Sequence, residues 1–401
     1  MSDRRDEQHS DDATGDGASS GLGRRAVLRS AAAIGAGIGL TSSVGVGNLF
    51  PAGHRDTSIT YAVARAGADD SGSPAPRTKT VPTLWYRTMG VAFDVSRRLH
   101  RAVGRVLGSF VRAGGYGEPA AVAIDVGTER ARERASDLFA DVLRKFSATF
   151  EDGVDLDLDL DISVIGRQPL EEDPTDEPYR RVERPTDGTV AGGVACSNDT
   201  AVGTLAPAMY DGEENPFFAT ANHVYGAEGM KRDAHRGESL YLRHKSGKTV
   251  IGSVEAGYPD EDLLRARPVE EYEPAARIRV DPPVPVTGQF TEIGLADLQA
   301  RGEPLEMMGA RSGHQVGEID GVNGLTSYYG DVPKDGQLKW GGRFTIGDGD
   351  SGSVNYHTDP ENPNEGVLVG GFNDARTWWP GEEYVWGTAA YHLRRRYGYH
   401  F

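Results

Sequence analysis

Gly347-Asp348-Gly349-Asp350-Ser351-Gly352-Ser353 is the stretch on which the reading of this chain turns. Its small residues let the backbone fold tightly, because glycine accepts dihedral angles that side chains resist. The Ser351 hydroxyl is then left exposed on the turn. With Gly349 two residues before it, the N–H groups of Gly349 and Ser351 can point at a common spot, which is what a developing oxyanion requires. A serine hydroxyl is a weak nucleophile by itself. It needs a base to take its proton and a group to orient that base. Gly/Asp-rich turns also occur in ordinary β proteins, so this one gains meaning only if those partners exist elsewhere in the chain.

The base candidate is His223, in Phe217-Phe218-Ala219-Thr220-Ala221-Asn222-His223-Val224-Tyr225-Gly226. An apolar strand that ends in small residues and then His holds the imidazole at the edge of a core, and imidazole moves protons near neutral pH. The orienting carboxylate is sought in the run from Val250 to Ala266. Asp262 stands at the mouth of Leu263-Leu264, where a carboxylate can be buried against imidazole. Asp260 and Glu261 look like the outer part of the same turn, and Asp260 is the alternative. Asp350 reads as structural, fixing the serine loop through a buried ionic or hydrogen-bonded contact.

The order His223, Asp262, Ser351, with Ala-Asn-His-Val, Asp-Leu-Leu and Gly-Asp-Ser-Gly around them, resembles the chymotrypsin/trypsin-like serine protease superfamily over about residues 190–401. Gly309-Ala310-Arg311-Ser312-Gly313-His314-Gln315-Val316-Gly317-Glu318-Ile319 is similar to a strand pair of its bacterial secreted members. The resemblance implies a mainly β fold: two antiparallel six-stranded β-barrels with the triad between them, preceded by a small α+β pro-region. It implies an endopeptidase acting on protein or peptide substrate through an acyl-enzyme, without cofactor. Ser351 attacks, His223 transfers the proton, Asp262 orients the imidazole, and the amides of Gly349 and Ser351 form the oxyanion hole. Thr345 is placed near the floor of the specificity pocket. Gly370 and Gly371, in Gly366-Val367-Leu368-Val369-Gly370-Gly371, belong to the strand that pairs with substrate and walls that pocket.

Two features depart from the family pattern. A single cysteine, Cys196, excludes the intramolecular disulfides usual beside the His and Ser, and Ser353 stands where Gly is common. The reading from another class is a catalytically inert protease-like fold that binds a partner. An α/β-hydrolase is excluded by room, since only about fifty residues follow Ser351. A metal enzyme is disfavoured because no His-Glu-x-x-His or paired-Cys spacing occurs.

Ahead of this half the chain changes character repeatedly. Residues 1–50 hold a polar Asp/Gly/Ser-rich start, then Arg24-Arg25-Ala26-Val27-Leu28-Arg29 and an Ala/Gly/Ile run. That pattern resembles a twin-arginine export signal and implies a secreted or cell-surface protein, membrane-bound only if the signal is uncleaved. Residues 51–83 read as a Gly/Pro/Asp-rich linker. Residues 84–167 read as an α+β module, with Phe93, Leu99, Val103, Val106, Leu107, Phe110 and Val111 at helical spacing, a strand over 121–126, and a helix capped by Thr128. Beyond that helix, Leu and Val alternate with Asp155, Asp157, Asp159 and Asp161 as in a half-exposed strand. Residues 168–189 are an acidic, Pro-rich connector to the 190–401 domain.

Sixty acidic residues against 43 basic ones give a formal charge of −17, and lysine occupies only seven positions. Such a surface argues against nucleic acid or an anionic membrane as partner. It also resembles the composition of proteins adapted to high salt.

Overall fold

Alternation of Thr, Ile, Tyr and Val makes Asp56–Ala64 a strand, β1, which turns back on β2 (Ala75–Pro82) in antiparallel register from Asp56↔Pro82 to Ala64↔Ala75. These residues fall where composition alone reads as linker; the dilution by Gly, Pro and Asp lies in the flanks, not in the strands. In this computed structural model the described residues are 56–67, 72–103, 106–147, 158–165, 179–226, 234–327, 333–342, 346–379 and 382–401. The Arg24-Arg25 segment, Thr345 and the first half of the acidic connector, residues 168–178, lie outside them.

The N-terminal region continues with α1 (Thr83–Ala102), β3 (Val106–Arg112), β4 (Ala120–Val126), α2 (Glu129–Ser147) and β5 (Leu158–Val164). The helical spacing read through Val111 ends at Ala102. Beyond it, the β-branched residues of Val106–Arg112 pair with β4 on one side and a later strand on the other, so tertiary pairing overrides the apparent helical period. Thr128 caps α2, its hydroxyl accepting from the Ala131 amide at 3.3 Å. β5 runs parallel to β4, with Asp159 and Asp161 exposed.

The rest of the chain supplies β6 (Thr189–Gly192), β7 (Ala195–Ser197), β8 (Val202–Thr204), β9 (Met209–Tyr210), β10 (Pro216–Ala221), β11 (Ser239–His244), β12 (Gly247–Tyr258), β13 (Leu263–Pro268), β14 (Glu273–Ile278) and β15 (Val284–Phe290). After α3 (Glu292–Ala300) come β16 (Leu305–Gly309), β17 (Gly313–Thr326), β18 (Lys334–Gly341), β19 (Val354–Thr358), β20 (Val367–Trp379), β21 (Glu382–Ala389) and α4 (Ala390–Tyr397).

Two sheets result. One has seven strands in the order β8-β7-β11-β12-β13-β10-β9. In the other, antiparallel pairings run in a ring, β16-β17-β18-β21-β20-β19 and back to β16. That ring is extended into a fourteen-stranded sheet. β15 joins β20 in parallel and carries β1 and β2, while β17 carries β3, β4 and β5. The molecule is therefore mainly β with an N-terminal α/β region. The first sheet is seven-stranded and open in its pairing order, and the six-stranded ring of the second is extended by strands of the N-terminal region.

The apolar cores follow the sheets. One cluster unites β1, α1, β3 and β4 with Leu295, Met307, Val322, Leu338, Trp340 and Leu368, so the N-terminal region has no core of its own. The other gathers the seven-stranded sheet with Val354, Tyr356, Phe372 and the C-terminal Tyr399 and Phe401. Buried charge reinforces the first junction. Lys79 binds Asp297 at 3.0 Å, and Arg77 pairs with Asp359 and Glu365. Among the described residues no helix is long and apolar enough to cross a membrane.

Candidate active site

β10 and β13 pair antiparallel with Ala221 opposite Leu263. This register alone brings the residue after β10 beside the residue before β13: the Asn222 amide donates to the Asp262 carbonyl at 2.8 Å. His223 follows on a 3-10 turn, Asn222–Tyr225. Its backbone N–H donates to Asp262 Oδ1 at 2.8 Å, and its ring Nδ1 lies 2.5 Å from Oδ2. Asp262 adopts φ 50° to make both contacts, a left-handed conformation that Asp tolerates better than most residues. Asp260, the alternative orienter, instead pairs with Arg396 at 2.9 Å, on the outer side of the turn.

The carboxylate of Asp262 is buried, whereas the His223 side chain is 48% exposed. With Nδ1 turned inward to Asp262, the open edge of the imidazole is the Nε2 edge, which has no hydrogen-bond partner among the described residues. Burial alone would lower the imidazole pKa, but attraction to Asp262 and the hydrogen bond to it outweigh burial, and Asp348 adds to the rise. Burial would likewise raise the Asp262 carboxyl, yet His223 and Lys334 hold it below the ordinary carboxylate range.

Ser351 lies on the turn that precedes β19, and it is half-buried. Its carbonyl accepts from the Thr204 amide at 2.8 Å. Ser351 O, Val224 Cγ2 and Thr220 Oγ1 all converge on the space that a Cβ at Gly203 would fill. Gly352 (φ 93°) packs against the Ala221 amide. The serine turn thus rests against the turn that carries His223. Among the described residues Ser351 Oγ makes no hydrogen bond, so the His223–Ser351 contact is not closed in this conformation. Such contacts are commonly long in enzymes without substrate. The amides of Gly349 and Ser351 also lack an internal acceptor among the described residues.

Asp350 holds this turn from beneath. It is fully buried and accepts from the backbone N–H of Arg311 (2.9 Å), Ser312 (3.1 Å) and Gly347 (3.0 Å). Gly309 has no room for a Cβ because Asp350 Oδ1 occupies it. The Gly309–Gly313 turn is therefore the socket for the carboxylate. Thr204 ties the same turn to the first sheet, its hydroxyl donating to the Gly349 carbonyl at 2.8 Å and accepting from the Ala310 amide at 2.9 Å.

Gly370 and Gly371 lie within β20, Val367–Trp379. Both are buried in β20, and Gly371 is paired to Asn355 on one side and Ala389 on the other. At Gly371 the ring of strands uses both sides of β20. The pairing with β19 ends at Phe372, so the open edge begins further along, at Asp374. Cys196 is buried, and burial pushes its thiol up to about 12, which removes it as a nucleophile at neutral pH. No group of His, Cys, Asp and Glu suited to a metal ion occurs among the described residues.

Three contacts had no signal in the sequence. Lys334 Nζ lies 3.6 Å from Asp262 Oδ2. Asp374 is buried nearby with its Oδ2 on Thr388 Oγ1 at 3.0 Å. Tyr179, midway along the connector, packs its ring edge on Gly349, while the Arg180 amide donates to the Ala310 carbonyl at 2.7 Å. Tyr179 comes from the stretch that reads as an acidic, Pro-rich connector.

No protein-family model matches this chain, and no curated protein matches its sequence. Solved structures of bacterial chymotrypsin-like proteases match it over about half its length. Thermobifida fusca protease A is 19% identical, with 53% of this chain and 97% of that chain covered at a TM-score of 0.39. Nocardiopsis protease is 15% identical with the same coverages and a TM-score of 0.37. Cellulomonas bogoriensis chymotrypsin is 16% identical, again covering 53% of this chain and 97% of that one, at 0.37.

Proposed function

We propose that this protein is a serine endopeptidase in which Ser351 is the nucleophile, His223 the general base and Asp262 its orienting carboxylate. The observation that carries the reading is the two-point contact of Asp262 with His223, one oxygen on the backbone amide and the other on Nδ1. It leaves Nε2, on the exposed edge of the ring, as the proton-accepting atom. Ser351 Oγ attacks the substrate carbonyl as its proton passes to Nε2. The resulting oxyanion is received by the amides of Gly349 and Ser351; as it collapses the scissile C–N bond breaks, the amine leaves with the proton returned from Nε2, and the acyl-enzyme is then hydrolysed by water activated at the same nitrogen. The backbone of β20 from Asp374 onward, unpaired on one side among the described residues, is the edge on which an extended peptide can lie.

The chain's first 50 residues are proposed to direct export by the twin-arginine route, and the N-terminal region to serve as a folding partner that supplies strands to the second sheet. Fluorophosphonate labelling with intact-mass detection, in high salt, tests the activity. Wild type is expected to gain one label and Ser351→Ala none. A folded wild type that takes no label, including after proteolytic removal of residues before about 190, would overturn the protease reading in favour of a binding module.

A further inference from the structure

The charges around Asp262 form a cluster that the triad by itself does not require. Lys334 opens β18, and its side chain is only 13% exposed. Its ammonium lies 3.6 Å from the same Oδ2 that receives the His223 ring. The other anions acting on it are Asp374 and Glu261. Asp374 is buried in β20, with Oδ2 on Thr388 Oγ1 and Oδ1 without a hydrogen-bond partner. Glu261 is engaged by Arg396 at 2.5 Å and Tyr397 at 2.7 Å, which leaves Asp262 and Asp374 as the carboxylates for which Lys334 is the nearby cation. The charged groups acting on His223 are Asp262, Lys334 and Asp348.

Two carboxylates buried side by side cannot both stay ionised without a cation between them. Here the burden falls unequally. Burial raises Asp374 well above the ordinary range, and repulsion from Asp262 adds to this against the pull of Lys334, whereas Asp262 is held low. Burial alone would lower the Lys334 ammonium, but Asp262 and Asp374 together keep it above its usual value.

We propose that Lys334 is a positioning residue for the His223–Asp262 pair: its ammonium holds Asp262 as the ionised member of the buried carboxylate pair and sets how strongly Asp262 attracts the imidazole. Lys334 is in turn placed by the N-terminal region. Thr326 pairs with Lys334 on one side and with Gly108 of β3 on the other, so the docked strand and the cation share one rung of the sheet.

The activity consequence rests on the protease reading, but the positioning role is measured without it. In the full chain labelled at histidine, the His223 ring titration is followed by NMR, the signal being assigned with His223→Gln. Lys334→Met is expected to raise the His223 midpoint by about one pH unit, since a repelling charge near the imidazole is lost. Lys334→Arg keeps the charge and is expected to hold the midpoint within about 0.3 units of wild type. An unchanged midpoint in Lys334→Met, or an equal shift in Lys334→Arg, overturns the proposal, because packing and not charge would then be at work.

If Lys334→Met does not fold, Lys334→Met/Asp374→Asn removes the uncompensated acid and carries the same readout. Failure of that variant as well makes Lys334 a structural tie and also overturns the proposal. Fluorophosphonate labelling on the same samples separates the two readings. A shifted midpoint in an unlabelled wild type keeps the positioning role and sinks the protease, while a labelled wild type with an unmoved midpoint does the reverse.

Discussion

Asp262 and Asp350 are buried carboxylates flanking one candidate site, and they are held by opposite means. Asp350 is surrounded by neutral donors, the backbone amides of Arg311, Ser312 and Gly347, all from two tight turns. Asp262 also takes one backbone amide, but its other oxygen is shared by an imidazole and an ammonium. The first arrangement fixes shape: fixed dipoles cradle a charge and the serine turn takes its form around it. The second fixes charge, because moving any one of three titratable groups changes the other two. The proposed chemistry needs both, a rigid turn for the nucleophile and a tuned base beside it.

The sharpest way to break this comparison is to neutralise each carboxylate isosterically. Asp262→Asn is expected to slow fluorophosphonate labelling by about 10⁴-fold, since an amide no longer accepts the Nδ1 proton and the wrong imidazole tautomer faces Ser351. The fold should persist. The same substitution should also erase part of the pH dependence of stability. A His223 pKa raised in the folded state stabilises the protein fully below the unfolded value of about 6.5, and that contribution is lost as pH rises through the folded value. Urea unfolding of wild type and Asp262→Asn from pH 5 to 9 measures the difference. A wild type whose stability shows no such decline relative to the variant would contradict the charge-balanced picture.

Asp350 should behave in the contrary sense. Asp350→Ala strands three part-buried amides and leaves a cavity where a fully buried carboxylate stood, and is expected to cost about 3 to 5 kcal/mol in urea unfolding. Its loss of labelling should follow from a disordered serine turn, not from a shifted pH profile. If Asp350→Ala unfolds at the wild-type urea midpoint, the turn is held by something other than its carboxylate.

The smallest effect tests the exposed charge between the two regions. Asp348 is exposed on the serine turn, and its charge helps to raise the His223 pKa. Asp348→Asn is therefore expected to move the acid limb of the labelling rate down by about 0.2 to 0.4 pH units at low ionic strength. In molar salt, where the Debye length falls to about 3 Å, the difference should vanish. An equal shift at both ionic strengths would mean that Asp348 acts by contact and not through solvent.

The same contrast explains which parts of the molecule were legible in the sequence. The serine turn, the Gly309–Gly313 turn and the His223 and Asp262 segments are short stretches whose residue types declare their geometry: glycines where a Cβ would collide, an acid with backbone amides to receive, an apolar strand ending at a polar turn. Asp262 could be preferred over Asp260 because it adjoins Leu263 and Leu264, and strands with that pattern are buried. The β4–α2–β5 order was legible for a similar reason, its periodicities being local.

Tertiary structure decided what depends on residues meeting from distant parts of the chain. The segment Val106–Arg112 is apolar at spacings that suit a helix or a strand, and only pairing with β4 and β17 settles it as a strand. The segments 56–64 and 75–82 become strands because β15 offers an edge and Asp297 and Asp359 offer partners for Lys79 and Arg77. Gly371 has both of its edges used by the β16–β21 ring, which no local pattern encodes. Nothing in Pro333-Lys334-Asp335-Gly336 marks Lys334 for its role; it becomes part of the site only when the fold places its ammonium against Asp262. The sequence by itself determined which chemical groups the site could use, since turns and caps are written in neighbouring residues. Which strands close the sheets, and which charges balance the buried acid, was decided by packing, because burial and electrostatic pairing are properties of what surrounds a residue in space.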